Sequence, residues 1–526
     1  MTVPHDVLIT GATLIDGTGA PPRVADVAVR DGRVVHVRAG TDTDGAAGAV
    51  TAAPDGAARS ARVIDADGLV LTPGFIDLHS HADFSVLDAP DAEACLRQGV
   101  TTLVTGNCGM SPFPAAHGPT PDLAGFAAAV DAARPAVNLA PLVGHGALRA
   151  AVLGQERRAA GPGELERMRA LLAEAARQGA FGLSTGLIYA PGSFAGTAEV
   201  VALASEAAAH GLLYATHMRD EGDRLIEAVE EALNTARASG VRLQISHLKA
   251  MGPANHGKVA EALALIDAAV AEGHDVACDV YPYTASSTML TSRLPDWALD
   301  GGPPALMKRL ADPGTRERIL ADLRPAVGRT FLPEGIVIAA LPPGPYAGRV
   351  GDSIADIAED GGVEPAAAVL DVLAAHDAQV MIVNHAMAGR DVDAVLRHPS
   401  SAVASDGWVL RAPGDGHPHP RNFGTFARVL GHYVRERDVL PLAEAVRKMT
   451  SLPAARLALR DRGTVAPGQV ADLALFDPAT VTDPATYADP WRYATGVRHV
   501  LVGGELALYD GEPTDLRPGR VLRRTP

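Results

Sequence analysis

The amino-acid sequence predicts an α/β fold: a (β/α)8 barrel with a small β-sandwich domain built from both chain ends and a lid insertion after strand seven. Three observations lead there. Through the middle of the 526 residues, short apolar runs alternate with Ala-, Leu- and Glu-rich helical stretches. Both ends read instead as short alternating runs broken by Gly and Asp, and a long stretch rich in Pro, Gly and Arg interrupts the alternation late in the chain.

The elements follow in order. Residues 6 to 70 give DVLITGATLIDG, ADVAVRDGRVVHV and RVIDADGLVLTPG, an antiparallel pattern with no helix-length segment. The same texture returns in TVAPGQVADLALFD and VRHVLVGGELALYDG, so residues 1–70 and 463–526 are expected to form one sheet domain in which the termini meet. Between them, 71–462 is expected to be the barrel. Its apolar runs are FIDLHSH, TTLVTGNCG, VNLAPLVGHG, FGLSTGL, LLYATHM, LQISHLK, DVACDVYPY, VMIVNHAM and AVASDG, nine candidates for eight places. VMIVNHAM is assigned an accessory position because it follows the interruption at about 286–350, which reads as an inserted lid rather than a βα unit. The intervening helices are carried by stretches such as GELERMRALLAEAARQG, AEVVALASEAAAHG and VAEALALIDAAVAEG.

Composition excludes several classes. A hydrophobic fraction of 47% with 21% charged residues is that of a globular chain and argues against disorder. The net charge of −16 argues against nucleic-acid binding, which needs a basic face. No apolar run is long enough to span a bilayer, and the opening MTVPHDVLITGATLI lacks the features of a signal peptide, so a cytoplasmic protein with no membrane contact is expected. Three scattered cysteines, Cys95, Cys108 and Cys278, do not make a disulfide framework and suit a reducing compartment. No pattern fixes the oligomeric state.

Nearly every apolar run ends in a polar residue capable of chemistry: His81, Cys108, His145, Ser184, His217, His247, Tyr283 and Asp406. In a (β/α)8 barrel the C-terminal strand ends build the active site. His79 and His81 in FIDLHSHAD lie two apart, so on a strand both imidazoles face one way and can share an ion. His217 and His247 end two further runs, and neutral imidazole is a common zinc ligand, although either alone could be a packed core histidine. Asp406 in AVASDG can touch a metal and take a proton from water, or simply form an Asp-Gly turn.

In order, PGFIDLHSHAD, GVTTLVTGNCGMSP, STGLIYAPG, YATHMRDEG, ISHLKAMG, DVYPYTASSTML, SDG and HPHPRNFGTFARVLGHY resemble the N-acyl-D-amino-acid deacylase (D-aminoacylase) family of the amidohydrolase superfamily, over nearly the whole chain. The resemblance implies a metal site formed by His79, His81, Cys108, His217, His247 and Asp406. It further implies one tightly held Zn2+ at Cys108, His217 and His247, and a second, weaker site near His79, His81 and Asp406. A thiolate suits zinc, and strand four, FGLSTGL, offers no lysine to bridge two metals, which leaves Cys108 as the substitute. The implied reaction is metal-assisted hydrolysis of a small-molecule N-acyl-D-amino acid to a D-amino acid and a carboxylate, with metal-bound hydroxide attacking and Asp406 as general base and acid. By the same resemblance Tyr189, Lys249 and Tyr283 hold the substrate α-carboxylate; Lys249 is one of four lysines in the chain. Arg293 is expected to reach that carboxylate or an acidic substrate side chain.

Rival readings are a hydantoinase-like cyclic-amide hydrolase, an isoaspartyl-dipeptidase-like enzyme and a catalytically silent barrel used as a scaffold. The missing strand-four lysine counts against the first two and the full ligand set against the third. His145 is read as either loop-packing or site-bordering, His385 and the HPHPR segment (His417, His419, Arg421) as bordering the pocket or, with more weight, structural, and Arg219, Asp220 and Glu221 as a structural ion-pair network.

Overall fold

A computed structural model describes residues 5–39, 62–115 and 120–524. Residues 40–61, which the sequence reading placed in the N-terminal sheet, lie outside the described residues.

Eight parallel strands make the barrel: Phe75–Asp77, Val100–Thr105, Asn138–Gly144, Gly182–Gly186, Leu213–His217, Arg242–Ile245, Val276–Val280 and Ser401–Val403, hydrogen-bonded in sequence order. The first and last meet through a parallel bridge between Ser80 and Gly407, and Asp406 N–H donates to the His79 carbonyl at 2.7 Å. Helices such as Pro162–Arg177, Thr197–Ala209, Leu225–Ser239 and Val259–Ala271 return the chain from one strand to the next. Their buried faces (Leu172, Leu203, Val229, Ile266) pack on outward strand residues including Leu183, Leu243 and Val276. The helix Leu225–Ser239 stops at Gly240, whose φ of 69° turns the chain at no steric cost.

A second, mostly antiparallel sheet is built from both chain ends. Val70–Pro73 lies against Leu473–Phe476 in antiparallel register, joining Val7–Leu14 and Arg23–Arg30 to Val497–Val502 and Glu505–Tyr509. The alternating apolar residues of these strands, among them Ile9, Leu14, Val27, Leu473 and Leu501, form its core. The two halves of one sheet are thus some four hundred residues apart in sequence, as the matching textures implied.

Between barrel strands seven and eight the chain makes its long excursion. Met381–His385, the VMIVNHAM run, does not enter the barrel; it pairs antiparallel with Ala285–Met289 and Ile336–Ala340 in a three-stranded sheet. This sheet and helices including Pro313–Leu323 and Pro365–Ala375 enclose a core of Leu306, Ile319, Phe331, Ile354, Val369 and Leu373. The excursion therefore runs well past 350 and has its own apolar interior, because the segments after the Pro- and Gly-rich stretch supply the strand and helices that bury its first half. Among the described residues no helix is long and apolar enough to cross a membrane.

Candidate metal centre

Strand ends bring six side chains together at one mouth of the barrel. His79 and His81 follow strand one, Cys108 follows strand two, His217 closes strand five, His247 follows strand six and Asp406 follows strand eight, and all six are buried. Cys108 Sγ lies 3.3 Å from His79 Nε2, 3.7 Å from His217 Nδ1 and 3.5 Å from His247 Nε2. Asp406 Oδ1 is 3.4 Å from His79 Nε2 and 3.1 Å from His81 Nε2. Tetrahedral zinc bonds of about 2.3 Å to sulfur and 2.0–2.1 Å to nitrogen place the two donor atoms about 3.5 Å apart, which is the spacing found here.

The electrostatics suit ligands. Burial drives His79 well below its ordinary value, Asp406 opposing it and the neighbouring histidines adding to it. Burial likewise lowers His217 to about 3 against the pull of Glu221, so both rings are neutral, the form that binds a metal. The Cys108 thiol is pushed well up by burial, with Asp406 adding and Lys249 opposing; only a cation among its three imidazole neighbours makes a thiolate there at neutral pH.

The backbone is bent to produce this. Cys108, His247 and Asp406 have φ of 53°, 36° and 53°, in the left-handed region that non-glycine residues seldom adopt. Gly186, at the end of strand four, sits so close that a Cβ there would lie 2.0 Å from the Cys108 carbonyl oxygen; this crowding requires glycine.

The expected substrate residues separate. Tyr189 remains at the site: its ring stands edge-on to His217 at 4.9 Å and its hydroxyl pairs with Thr288 Oγ1 at 2.8 Å. Arg293 is half-buried beside Arg219 and Asp220 in a cavity of about 310 Å3, and pairs with no carboxylate among the described residues. Lys249, however, is not a free donor. It is buried, with Nζ 2.5 Å from Glu221 Oε1 and 2.8 Å from His247 Nδ1, because an ammonium this deep needs a fixed counter-charge. Tyr283 is turned away: its hydroxyl donates to Asp483 Oδ2 at 3.2 Å and Arg428 covers its ring at 4.9 Å. Two residues earlier, Tyr281 takes the inward place, with Lys249 and Arg421 against its ring at 5.6 and 5.0 Å.

Arg421 and Glu221 join the site from segments that the sequence reading weighted toward structure. Arg421 Nη1 binds Asp406 Oδ2 at 2.6 Å, and Nη2 donates to the Ser287 carbonyl at 3.2 Å. The same segment pins the inserted unit, since His419 Nε2 bonds the Ala285 carbonyl at 2.9 Å. Arg219 does make a structural pair with Glu231, and Asp220 caps the Gly222 N–H, but Glu221 points inward. His145 is held by Glu199 at 2.8 Å in a buried network with Arg149, and His385 packs on Tyr487 with ring centroids 4.5 Å apart; neither touches the six ligand candidates.

A cavity of about 230 Å3 opens from Cys108 past Gly186 to Gln155, Tyr189 and Ala190. The same three residues border a larger one of about 600 Å3 under the inserted unit, lined by Met289, Leu299, Leu306, Leu341 and Met381, with Asp377 its one charged residue.

Comparison with known proteins places this arrangement. Residues 62–507 match the amidohydrolase family model. The chain is 39% identical to an N-acyl-D-glutamate deacylase of Alcaligenes xylosoxydans xylosoxydans, over 99% of this chain and 96% of that protein. Among solved structures it superimposes with TM-score 0.82 on D-aminoacylase with a binuclear metal centre, at 38% identity, covering 99% of this chain and all of that one. It matches equally, at TM-score 0.82, 37% identity and the same coverage, the N-acyl-D-glutamate deacylase of Bordetella bronchiseptica complexed with zinc and a phosphonate mimic of the tetrahedral intermediate. Sheet order, strand-end ligand candidates and full-length similarity agree: the chain belongs to the amidohydrolase family, in its N-acyl-D-amino-acid deacylase branch.

Proposed function

We propose that this protein hydrolyses N-acyl-D-amino acids to a D-amino acid and a carboxylate, using zinc held by Cys108, His217 and His247, which leaves a fourth position open to water, with His79, His81 and Asp406 forming a weaker adjoining position. The observation that carries the reading is a buried cysteine ringed by three imidazole nitrogens at 3.3–3.7 Å with a carboxylate beside them. Zinc held there supplies Lewis acidity toward the acyl carbonyl and lowers the pKa of a bound water toward about 7.

The chain's own residues do the rest. Asp406 takes the water's proton and returns it to the leaving amine; Arg421 keeps that carboxylate ionised and oriented. Arg293, half-buried and paired with no carboxylate among the described residues, binds the substrate α-carboxylate, with the hydroxyls of Tyr189 and Tyr281, the latter 3.8 Å from Met387 Sδ, as further donors. Among the described residues no arginine or lysine lines the 600 Å3 cavity, which supports an apolar rather than an acidic substrate side chain. The D configuration rests on what the relatives are named for. We further divide the described residues into a sheet domain from 5–39, 62–73 and 463–524 and a barrel from 74–462 that carries the inserted unit, and place the protein in the cytoplasm, where three free, buried cysteines persist.

The test is a panel of N-acetyl D- and L-amino acids with neutral, basic and acidic side chains, assayed with and without added zinc. Zinc-dependent release of D-amino acids is expected, with neutral apolar substrates ahead of acidic ones. Hydrolysis confined to L-substrates, or unaffected by metal removal, would overturn it.

A further inference from the structure

Glu221 and Lys249 take no part in the chemistry above, yet they are among the most deeply buried charges in the molecule and lie directly behind two of the ligand candidates. Glu221 Oε1 is 3.0 Å from His247 Nδ1, and Glu221 Oε2 is 3.4 Å from His217 Nε2. The opposite nitrogens of the same two rings, His247 Nε2 and His217 Nδ1, are the ones that face Cys108. One carboxylate therefore spans the outer edges of two histidines whose inner edges point at one sulfur.

We infer that Glu221 is a positioning residue for the metal centre: with an ion beside Cys108 on His217 Nδ1 and His247 Nε2, both protons sit on the outer nitrogens, and Glu221 is the carboxylate placed to accept them, from a His217 Nε2 that is otherwise unpartnered among the described residues and from a His247 Nδ1 that otherwise meets Lys249 Nζ at 2.8 Å. The inference rests on the zinc reading given above. A histidine that binds a metal through one nitrogen must carry its proton on the other, and a carboxylate there orients the ring and raises its basicity. A single neutral imidazole can hold its proton on either nitrogen, so without Glu221 neither ring has a fixed choice.

Lys249 supplies the counter-charge. Its ammonium, 2.5 Å from Glu221 Oε1, keeps the buried carboxylate from standing uncompensated. Glu221, His217 and His247 are by spacing alone close enough to hold an ion themselves, but Lys249 Nζ already lies 2.5 Å from Glu221 Oε1 and 2.8 Å from His247 Nδ1, against the donor atoms such an ion would use. Direct ligation would moreover use the outer nitrogens and leave Cys108 outside the coordination sphere.

The test is zinc affinity of the full-length protein, measured by competition with a chromogenic chelator, together with the absorption of the cobalt-substituted protein. Glu221→Gln keeps the shape but offers one good acceptor where two N–H groups need one. It is expected to weaken zinc binding by about 10- to 100-fold while the cobalt–thiolate charge-transfer band of Cys108 persists. Lys249→Arg, which keeps the charge, is expected to lose far less than Lys249→Met. If Glu221→Gln lowers thermal stability of the metal-free and zinc-loaded protein alike but leaves zinc affinity unchanged, Glu221 is a structural residue and the inference is overturned. It is equally overturned if Cys108→Ser leaves affinity intact while Glu221→Gln abolishes binding, since Glu221 is then a ligand. If wild-type protein binds no zinc and hydrolyses no N-acyl-D-amino acid, the failure is that of the underlying zinc reading, and the inference falls with it.

Discussion

Replacing Arg421 with Met removes the guanidinium bonded to Asp406. At 2.6 Å and an effective dielectric of about 20, two unit charges attract by about 6 kcal/mol. Stranding the buried carboxylate of such a pair costs about 3–5 kcal/mol of stability. The kinetic consequence has a definite sign. Burial by itself pushes the Asp406 carboxyl up; Arg421 first, then the His81 hydrogen bond, oppose it, and the carboxyl is held well below the ordinary carboxylate range. As a base, Asp406 works only when ionised, so activity falls as pH drops through its pKa. Without the guanidinium the largest influence opposing burial is gone, and the acid limb of kcat/KM for an N-acetyl-D-amino acid moves to higher pH. Arg421→Lys keeps a cation but loses the bond to the Ser287 carbonyl, net about 1 kcal/mol, and is expected to restore most of the wild-type limb. The measurements are pH–rate profiles of both zinc-loaded variants and their urea midpoints. An acid limb in Arg421→Met that coincides with wild type, in protein shown to be folded, would refute the assignment of Asp406 as the base under Arg421's control.

Three further outcomes follow from the same geometry. Tyr281→Phe is expected to lower kcat/KM by about tenfold, whereas Tyr283→Phe, which loses only the bond to Asp483, costs about 1 kcal/mol of stability and leaves turnover alone; equal kinetic effects would contradict their separation. Asp83 is driven by burial up to about 7, with His81 and the Gly106 N–H opposing, so its folded form holds a proton more tightly than the unfolded chain and stability is lost as pH rises from 3.8 through 7. That shift is worth about 4 kcal/mol, and Asp83→Asn should raise the urea midpoint at pH 8 but not at pH 4; a gain of the same size at both would refute it. Removing zinc with a chelator should abolish hydrolysis and lower the unfolding temperature, both restored by added zinc; full activity in metal-free protein would count against the zinc reading.

Much of the barrel was legible because its signals are local. A His at the end of an apolar run is already placed at the mouth once the run is a strand, and His79, His81, His217, His247 and Asp406 lie at that mouth. What stayed hidden depends on rotation about bonds that sequence does not record. Tyr281 and Tyr283 sit on opposite sides of Pro282 in DVYPY, and only the packing of Arg428 and Asp483 decides which hydroxyl leaves the site. Glu221 hides in a run of charges whose first two members are structural; the offset of four residues from His217, a spacing at which a side chain can return to its neighbour, was the available signal. Arg421 lies fifteen residues beyond Asp406, and no periodicity links them. The length of the inserted unit was missed for a related reason: its final strand pairs with residues about a hundred positions earlier.

The left-handed backbone at Cys108, His247 and Asp406 connects these levels. A strand left in extended conformation would alternate its last side chains between barrel interior and helix layer. Turning the chain at the residue that carries the donor re-aims that donor over the mouth, and three different strands do so at three residues of one cluster. Each such residue costs about 1–3 kcal/mol when it is not glycine, and the surrounding hydrogen bonds over-determine it: Asp406 N–H is held by the His79 carbonyl, and His247 N–H by Asp279 Oδ1, both at 2.7 Å. Ligand geometry is thus built into the main chain and not left to side-chain rotamers, so an arriving ion meets donors already at coordination spacing, and the free energy of binding it is available to offset the cost of those three turns.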